Sequence, residues 1–543
     1  MIWRIGATAT AMLVALPLLG LASSVLAWRG EMWRHLAETQ LGDIVANTAV
    51  LLLGVGAGTT AIGTGTAWLV TMHRFPFSRT FEWGLILPLV LPTYIIGYAY
   101  ADLLAFAGPL QGGLRTMTGW QRADYWFPDL SSAPGVAILF TLVLYPYVYL
   151  AARAAFLAQS RPLLEASRIL GCGPWRTFLA VGLPMARPAI AAGVALALFE
   201  ALADFATVQY YGVPTFTTAI YRIWYGMGDR DGAAQVAVVL LAIAVLLIVL
   251  ERRSRGRARF HVASNLRENA APGDLAGWRA AAAVGACALP VLLGFAVPAS
   301  HLLQLAARSD IPMAASALLR DAMHSLLLAA IAAVVIAGLG SFLAYAGRLV
   351  RRRRFNRMIE FATLGYAIPG AVIAVGILLP LAAADRLLGD TAGRLFGLSI
   401  GLLLSGTPVA LLLAYTVRFL AVGVANIAPG LAAIDPAMDA SAQILGARPS
   451  TILRRIHLPM LRGPALTAAI VAFVEVLKEL PATLLIRPFN FDTLAVGVYR
   501  FASDERLAEA AAGALVIVAA SLVPVILLSR SVAAAATSSR RGP

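Results

Sequence analysis

Long apolar runs separated by short polar connectors dominate this 543-residue chain. A helix that crosses the hydrocarbon core of a membrane needs about 20 mainly apolar residues, so each run of that length predicts one span. In the first half the predicted spans are 6–27, 43–72, 84–107, 134–157, 188–210 and 233–250. In the second half they are 280–305, 321–347, 359–384, 397–421, 464–486 and 508–529. The pattern therefore predicts an all-α polytopic membrane protein with about twelve transmembrane helices, divided equally between two halves.

Composition agrees with this prediction and argues against a nucleic-acid-binding protein. Hydrophobic residues make up 60% of the chain and charged residues only 13%, which is outside the range of ordinary soluble domains. The formal net charge of +15 would suit a nucleic-acid-binding protein. However, the arginines cluster in connectors between apolar runs rather than along one polar face, so we expect no nucleic-acid partner.

The distribution of arginine predicts which connectors face the cytoplasm. An excess of arginine in short connectors marks the cytoplasmic side of a membrane protein. The arginines that carry this signal are Arg74, Arg79, Arg252, Arg253, Arg255, Arg257, Arg259, Arg348, Arg351, Arg352, Arg353, Arg354, Arg540 and Arg541. Both termini are then predicted to be cytoplasmic, and the loops at 28–42, 108–133 and 306–320 face outward. The first 27 residues also resemble a secretory signal, but the many spans that follow favour an uncleaved first helix.

One polar stretch occurs twice in the chain. ILGCGPWRTFLAVGLP occupies residues 169–184, and ILGARPSTILRRIHLP occupies residues 444–459, 275 positions later. Across 165–189 and 440–464, eight of 25 aligned residues are identical. An even number of predicted spans separates the two copies, so both should lie on the same cytoplasmic face.

The repeat divides the chain into two parallel halves. We predict a first half at 1–250 and a second half at 279–543, joined by a polar cytoplasmic linker at 251–278. Each half then carries one long cytoplasmic loop, at 160–188 in the first and at 435–463 in the second. Because the copies share their orientation, the halves are expected to pack pseudo-symmetrically.

Each copy is predicted to form a protruding pair of short helices. In the first copy, Gly171, Gly173 and Pro174 form a strong turn between two segments with helical periodicity. Leu183 and Pro184 end the protrusion ahead of the next span. A single copy would favour an interfacial hairpin that only anchors the chain to the membrane. Two copies at matched spacing favour a docking element for another protein.

The first copy, EASRILGCGPWRTFLAVGLP, resembles the EAA loop of permease subunits of ATP-binding-cassette importers. In that family the short helix of this loop is the coupling helix, which docks into a groove of the ATPase subunit. The residues that match in the first loop are Glu165, Ala166, Ser167, Gly171, Leu183 and Pro184. In the second loop Gly446, Leu458 and Pro459 align, but Ala440 occupies the glutamate position and Asp439 precedes it. This departure implies a different polar contact with the ATPase in the second half.

Three longer segments narrow the resemblance to fused ferric iron permeases. They lie at 199–235, at 474–511 and at 91–104, and KELPATLLIRPFNFDTLA within the second is the most specific. The resemblance implies a bacterial inner-membrane permease that transports ferric iron, with a periplasmic ferric-binding protein and two copies of an ATPase as partners. A fused thiamine permease has a similar length and repeat plan and stays the alternative within the same class.

The chain itself has no ATPase motif. No GxxxxGK[ST] sequence is present, and the sole lysine, Lys478, lies inside a predicted span. We therefore expect a transport subunit rather than an enzyme, with no cofactor of its own. ATP and Mg²⁺ would be bound by the separate ATPase.

Charged residues inside two predicted spans are candidates for a translocation path. They are Glu200, Asp204, Glu475, Lys478 and Glu479. Each charge at this depth costs about 2.5–3.5 kcal/mol, so these faces should point toward protein or water. In the structural interpretation they only pair with one another, with Lys478 as the base. In the functional interpretation they guide a cation transiently, without a tight metal site.

Other features leave further alternatives open. Tyr210, Tyr211, Tyr221 and Tyr225 could be phenolate ligands, but we favour an aromatic belt at the membrane interface. The charged loops around Arg222 and Asp504 could grip a binding protein or simply be solvated. A rival function is a proton-coupled secondary transporter in which the buried charges relay protons, and a more distant one is a non-transporting membrane scaffold.

Overall fold

The computed structural model describes residues 2–159, 166, 167, 169–255, 273–308, 311–350, 352–397, 399 and 401–538. The first half contains helices α1 to α12: α1 Ile2–Val25, α2 Gly30–Thr39, α3 Leu41–Met72, α4 Ser78–Gly84, α5 Thr93–Leu104, α6 Pro109–Thr118, α7 Ala133–Leu157, α8 Pro174–Thr177, α9 Leu183–Ala203, α10 Ala206–Tyr210, α11 Phe216–Tyr221 and α12 Arg230–Arg255. Several residues of the sequence analysis lie outside the described residues: Glu165, part of the linker, and the arginines at 257, 259, 351, 540 and 541.

The second half repeats this order of helices. Its helices are α13 Gly277–Val291, α14 Val297–Ala306, α15 Ile311–Val350, α16 Arg353–Ala362, α17 Gly370–Phe396, α18 Pro408–Ala432, α19 Pro436–Ile444, α20 Pro449–Ile452, α21 Leu458–Met460, α22 Arg462–Lys478, α23 Pro481–Ile486, α24 Leu494–Ser503 and α25 Leu507–Ser538. Short irregular helices occur as 3₁₀ turns at Leu87–Val90 and Leu364–Ala367, and as π turns at Phe178–Gly182, Arg222–Gly226, Leu292–Ala296 and Leu453–His457. Two short strands, β1 His73–Arg74 and β2 Gly273–Asp274, pair in parallel.

Nine helical segments in the described part of the chain are long and apolar enough to cross a membrane. Two further pairs of helices would each form a span with a sharp bend, Ser78–Val90 with Thr93–Thr118 at 88° and Pro449–Met460 with Arg462–Lys478 at 76°. Leu507–Leu522 is a shorter apolar helix. The prediction of an all-α polytopic membrane protein is confirmed. The predicted twelve continuous spans become nine to eleven, plus this shorter helix.

Two predicted spans are wrong because a proline interrupts them. The predicted helices at 84–107 and 359–384 are broken ahead of Pro92 and Pro369. The residue before each proline is extended, with ψ of 118° and 123°. Steric conflict with the proline ring disfavours the α conformation at that position, so the helix restarts only after it.

A third predicted span, 397–421, is displaced along the chain. Gly397 has a φ of 65° and ends α17 in the left-handed conformation that favours glycine. The next helix starts at Pro408, where the missing N–H of proline costs nothing. Its range, Pro408–Ala432, corresponds to Ala133–Leu157 at the offset of the sequence repeat. The duplication therefore extends from the polar loops to the transmembrane helices.

The first helix of the chain packs mainly on the second half. α1 packs against α17 of the second half, and α14 packs against α5 of the first. The crossing of α1 and α17 is close, since a Cβ on Gly20 would lie 2.1 Å from the carbonyl oxygen of Gly376. A Cβ on Gly376 would lie 2.4 Å from the Pro17 oxygen. Only glycine at both positions permits this approach of the two backbones.

Candidate functional site

The repeated loops form two knobs, the first at residues 166, 167 and 169–182 and the second at 435–460. Each knob turns at a glycine in the left-handed conformation, with φ of 81° at Gly171 and 78° at Gly446. The Cys172 and Ala447 amides then donate to carbonyl oxygens five residues back, both at 3.0 Å. This is the Schellman arrangement, which satisfies the last carbonyl groups of a helix.

The two knobs expose the same apolar pair. Ile169 and Leu170 are 86% and 83% exposed, and Ile444 and Leu445 are each 86% exposed. All four residues immediately precede the turn glycine of their knob. Large apolar side chains with this exposure at equivalent positions indicate a contact surface for another molecule.

The remaining predicted coupling residues lie around these pairs. Ala166, Pro184, Ala440, Leu458 and Pro459 are exposed. Ser167 is buried, and its hydroxyl lies 3.2 Å from the hydroxyl of Thr177. Leu183 is half-buried at the start of α9.

The predicted separate second helix is wrong for the first knob. There the segment from Trp175 runs without a break into the transmembrane helix and reaches Ala203. Gly182 lies within this continuous segment and packs closely on Trp68, since a Cβ there would lie 2.5 Å from the Trp68 ring. In the second knob the helix bends at Leu461, so the short helix is distinct from α22.

The second knob is held by a largely buried polar network in addition to the contact of the Tyr345 ring with His457. Asp439 accepts from Arg348 Nε at 2.7 Å, and its other oxygen lies 2.7 Å from His457 Nε2. Arg348 also donates to the carbonyl oxygens of Leu431 and Ile434. Both oxygens of Asp439 are therefore engaged within the chain, whereas the sequence led us to expect a polar contact with the ATPase.

A small polar cavity, which we call the chamber, lies between the halves. Its volume is about 90 Å³, which accommodates a few water molecules. All five charged residues predicted for the translocation path line it: Glu200, Asp204, Glu475, Lys478 and Glu479. The tertiary structure therefore brings together two sets of charges that lie 275 residues apart.

Asp204 and Glu479 stand where the predicted helices break, so the predicted continuous helical faces are wrong. α9 ends at Ala203 and α22 ends at Lys478, and both acids are extended, with ψ of 137° and 118°. Each carboxylate accepts from a backbone amide three residues later, at 2.9 Å from Thr207 and 2.8 Å from Ala482. Each therefore caps the short helix that follows the break.

The two acids differ in their remaining partners. Asp204 accepts from the hydroxyl groups of Thr93 at 2.7 Å and Thr207 at 2.9 Å. Glu479 forms an ion pair with Arg418, with Nη1 3.2 Å from Oε2. Arg418 and Glu479 are each 5% exposed. A buried ion pair therefore stabilises the break in the second half, and hydroxyl groups do so in the first.

The other three charges are less tightly engaged. Lys478 Nζ lies 3.7 Å from Glu475 Oε1 and 3.4 Å from the carbonyl oxygen of Leu89. The Glu200 carboxylate makes no hydrogen bond or ion pair with any residue that the structure describes. Four acids and two bases thus line the chamber, which leaves a formal charge of −2 if all six are ionised.

Sequence reasoning missed Arg418 as part of this site. The signal was present, because Arg418 lies inside the predicted span 397–421, where a charge needs a partner. The expected pairing of Asp204 with Lys478 is also wrong, since Thr93 and Thr207 hold Asp204 instead.

Of the four tyrosines predicted to form an aromatic belt, two are buried, Tyr210 is partly buried and Tyr225 is exposed. Tyr211 and Tyr221 are 7% and 6% exposed, and their hydroxyl groups donate to the carbonyl oxygens of Gly97 and Pro481. Tyr225 is exposed but donates to Leu484. Within the described ranges, no group of three or more His, Cys, Asp or Glu residues is arranged to hold a metal ion.

Comparison with known proteins identifies a family and several relatives. The family described as binding-protein-dependent transport system inner membrane component matches residues 59–252 and again residues 337–539. The Fe(3+)-transport system permease protein FbpB 2 of Haemophilus influenzae is 25% identical over 491 residues, which cover 89% of this chain and 88% of that protein. The ferric transport system permease protein FbpB of Actinobacillus pleuropneumoniae is 24% identical, covering 84% of this chain and 66% of that protein.

A third relative aligns with part of the chain. The molybdenum transport system permease protein ModB of Escherichia coli is 30% identical over 202 residues, covering 35% of this chain and 85% of that protein. The predicted resemblance to permease subunits is confirmed by these matches. With two family matches over most of its length, the chain belongs to the binding-protein-dependent transport system inner membrane components, as a multi-pass transport subunit with two fused halves.

Proposed function

We propose that the chain is the membrane-spanning subunit of an ATP-driven importer for ferric iron delivered by a periplasmic binding protein. The observation that carries this proposal is the matched apolar pair on the two knobs, Ile169 with Leu170 and Ile444 with Leu445. Two equivalent surfaces suit two copies of one partner. That partner is a separate ATPase, which binds the ATP and Mg²⁺, and both termini of this chain lie on its cytoplasmic side.

The transport cycle follows from coupling the knobs to the ATPase. When ATP binding closes the ATPase dimer, it draws the two knobs together. The halves then rock against each other, and the chamber opens to the outer side to accept the substrate. Hydrolysis separates the knobs and returns the chamber to the inner side. The boundaries that we propose for the two halves along the chain remain 1–250 and 279–543.

Ferric iron is supported by the relatives that span both halves. FbpB 2 of Haemophilus influenzae aligns with 89% of the chain as one polypeptide, whereas ModB aligns with about one half. The acidic chamber suits a hard cation, which prefers carboxylate oxygen ligands. Because tight ligation would trap the ion, the chamber acids guide it only transiently.

Docking is tested by placing charge on one knob. The double variant Ile444→Asp with Leu445→Asp should lose co-purification with the cognate ATPase and lose ATP-dependent uptake of ferric iron in proteoliposomes. Met117→Asp is the matched control, since Met117 is 89% exposed but lies on α6, away from both knobs. If the double variant keeps both the complex and the uptake, the docking surface is wrong.

The chamber is tested in the same proteoliposomes. Glu200→Gln removes the carboxylate without a described partner, so it should lower the rate of iron uptake while the ATPase complex still assembles. Unchanged uptake would favour a purely structural chamber. Uptake driven by a proton gradient without the ATPase would support the secondary transporter. Uptake of thiamine instead of iron would show that the proposed substrate is wrong and would support the thiamine permease.

A further inference from the structure

A second and larger cavity, which we call the vestibule, opens on the face opposite to the knobs. Its volume is about 780 Å³, and its lining comes from residues 205–226 of the first half and 484–500 of the second. These segments follow the helix breaks at Asp204 and Glu479, at the far ends of the helices that leave the knobs. In the proposed orientation the vestibule is therefore the outer entrance above the chamber.

The charged side chains that line the vestibule are three arginines and one aspartate. Arg487 and Arg500 both donate to Asp492, and the Arg500 bond is 2.6 Å long. Arg222 donates to the uncharged amide of Gln40. The one carboxylate therefore pairs with two of the three guanidinium groups, and these lining residues carry a formal charge of +2.

The arginines retain capacity for another anion. The side chains of Arg487 and Arg500 are 34% and 44% exposed, and each donates one described hydrogen bond to Asp492. A guanidinium group has five N–H donors in a planar fork, which matches the oxygens of a carboxylate or an oxyanion. The Arg222 side chain is also exposed. Several donors are therefore available to a ligand that enters the vestibule.

The vestibule and the chamber are consecutive compartments of opposite charge. Phe205 lines both cavities. Its ring stacks on Tyr221 with centroids 3.7 Å apart and lies 5.8 Å from Tyr499, which closes the boundary with aromatic side chains. A bare cation would be repelled by the arginines before it reached the acidic chamber, whereas a cation that carries anionic ligands would be attracted.

We propose that the vestibule binds carboxylate or oxyanion groups, and that the metal enters it together with such an anionic ligand rather than as a bare ion. This inference rests on the proposed function for the identity of the metal, but the anion site is a property of the arginines alone. The anionic oxygens could belong to a free small anion or to a phospholipid headgroup. Binding measured in nanodiscs with and without an anionic lipid separates these sources.

The binding arm uses the full chain in nanodiscs of zwitterionic lipid, without the ATPase. Titration calorimetry with inorganic phosphate and with citrate should detect binding of at least one of these anions. Arg222→Gln with Arg500→Gln should weaken that binding by about tenfold or more, because two of the three charged donors are lost. This variant keeps the pair of Arg487 with Asp492.

Two controls keep the result interpretable. Arg308→Gln removes an exposed arginine outside the vestibule and should leave binding unchanged. If the glutamine variant fails to fold, Arg222→Lys with Arg500→Lys takes its place. This lysine variant keeps the charge and should retain part of the affinity for the anion. Absence of binding to both anions, or equal affinity in wild type and glutamine variant, would overturn the inference. If the arginines take up only an anionic lipid headgroup, and neither phosphate nor citrate, entry of the metal together with a small anion is overturned.

The transport arm separates this inference from the proposed function. In proteoliposomes with the ATPase and the binding protein, ATP-dependent uptake of radioactive iron should rise when the bound anion is supplied with it. The glutamine variant should lose that increase. If wild type transports no iron but still binds the anion through these arginines, the proposed cargo fails while the anion site stands. If iron uptake is equally fast without any added anion, the anion site is not part of the transport path.

Discussion

At the scale of single residues, the chamber shows how two acids at equivalent positions are stabilised by two different means. Asp204 and Glu479 occupy equivalent positions and cap equivalent short helices. Hydroxyl groups hold the first and the guanidinium of Arg418 holds the second. The carboxylate of Glu479 therefore depends on one buried cation. Of the two acids, it is the more sensitive to loss of a single partner.

Loss of that cation should destabilise the protein strongly. Arg418→Met leaves Glu479 buried without its ion-pair partner, so we expect the free energy of unfolding to fall by about 3–5 kcal/mol. Reversible unfolding in mixed micelles with increasing SDS measures this change. Adding Glu479→Gln should recover part of the loss, because the amide oxygen can still cap α23 without a charge.

A matched exposed arginine gives the reference for that experiment. Arg308→Met should change stability little, since Arg308 is exposed outside the chamber. If Arg418→Met is as mild as this control, the buried ion pair does not stabilise the helix break.

At the scale of helices and turns, the knobs depend on a backbone conformation that only glycine adopts easily. A Cβ on Gly446 would meet no atom within 4 Å, so space does not explain this glycine. Its φ of 78° does, because an L side chain in the left-handed region lies close to the following carbonyl group. This turn therefore fixes the positions in which Ile444 and Leu445 are exposed at the surface.

Gly446→Ala should therefore loosen the second knob without unfolding the protein. We expect a local cost of about 1–2 kcal/mol, which corresponds to about 5–30-fold faster exchange of the Ala447 amide. Hydrogen–deuterium exchange of a peptide covering the second knob measures this effect.

Gly463→Ala is the control in the same region. A Cβ there also meets nothing within 4 Å, and its backbone is not left-handed. Equal exchange in the two variants would show that the left-handed turn is not what orders the knob.

At the scale of the whole molecule, two similar halves share one chamber and each carries one knob. α1 packs mainly on the second half, whereas α14 packs chiefly on α25 of its own half and also contacts α5 of the first. A relative motion of the halves must therefore carry α1 with the second half. The close contact of Gly20 with Gly376 makes α1 part of the second unit in any such motion.

The native cysteines offer a test of the predicted orientation. Cys172 is partly exposed in the first knob, and Cys287 is fully buried. A membrane-impermeant maleimide should label Cys172 in inside-out vesicles and not in right-side-out vesicles, with Cys172→Ser as the control for labelling elsewhere. Addition of the ATPase should protect Cys172. Labelling from the outer side would reverse the topology and remove the docking proposal.

The sequence by itself determined the membrane class, the duplication and the presence of charges inside apolar runs. These features are local, because the length of an apolar run, the recurrence of ILG and LP, and the position of Glu200 within an apolar run can be read from one segment. The family resemblance also followed from contiguous motifs, since loop residues such as Gly171 keep their spacing.

Only the tertiary structure decided which groups stabilise those charges and where the helices break. Arg418 and Glu479 are 61 residues apart, and Lys478 reaches the carbonyl oxygen of Leu89 across 389 residues. Helical periodicity assigns a residue to a face of its own helix but does not state which distant segment packs against that face. Breaks at Asp204 and Glu479 exist because partners from other segments satisfy the freed polar groups there, and sequence spacing carries no record of such partners.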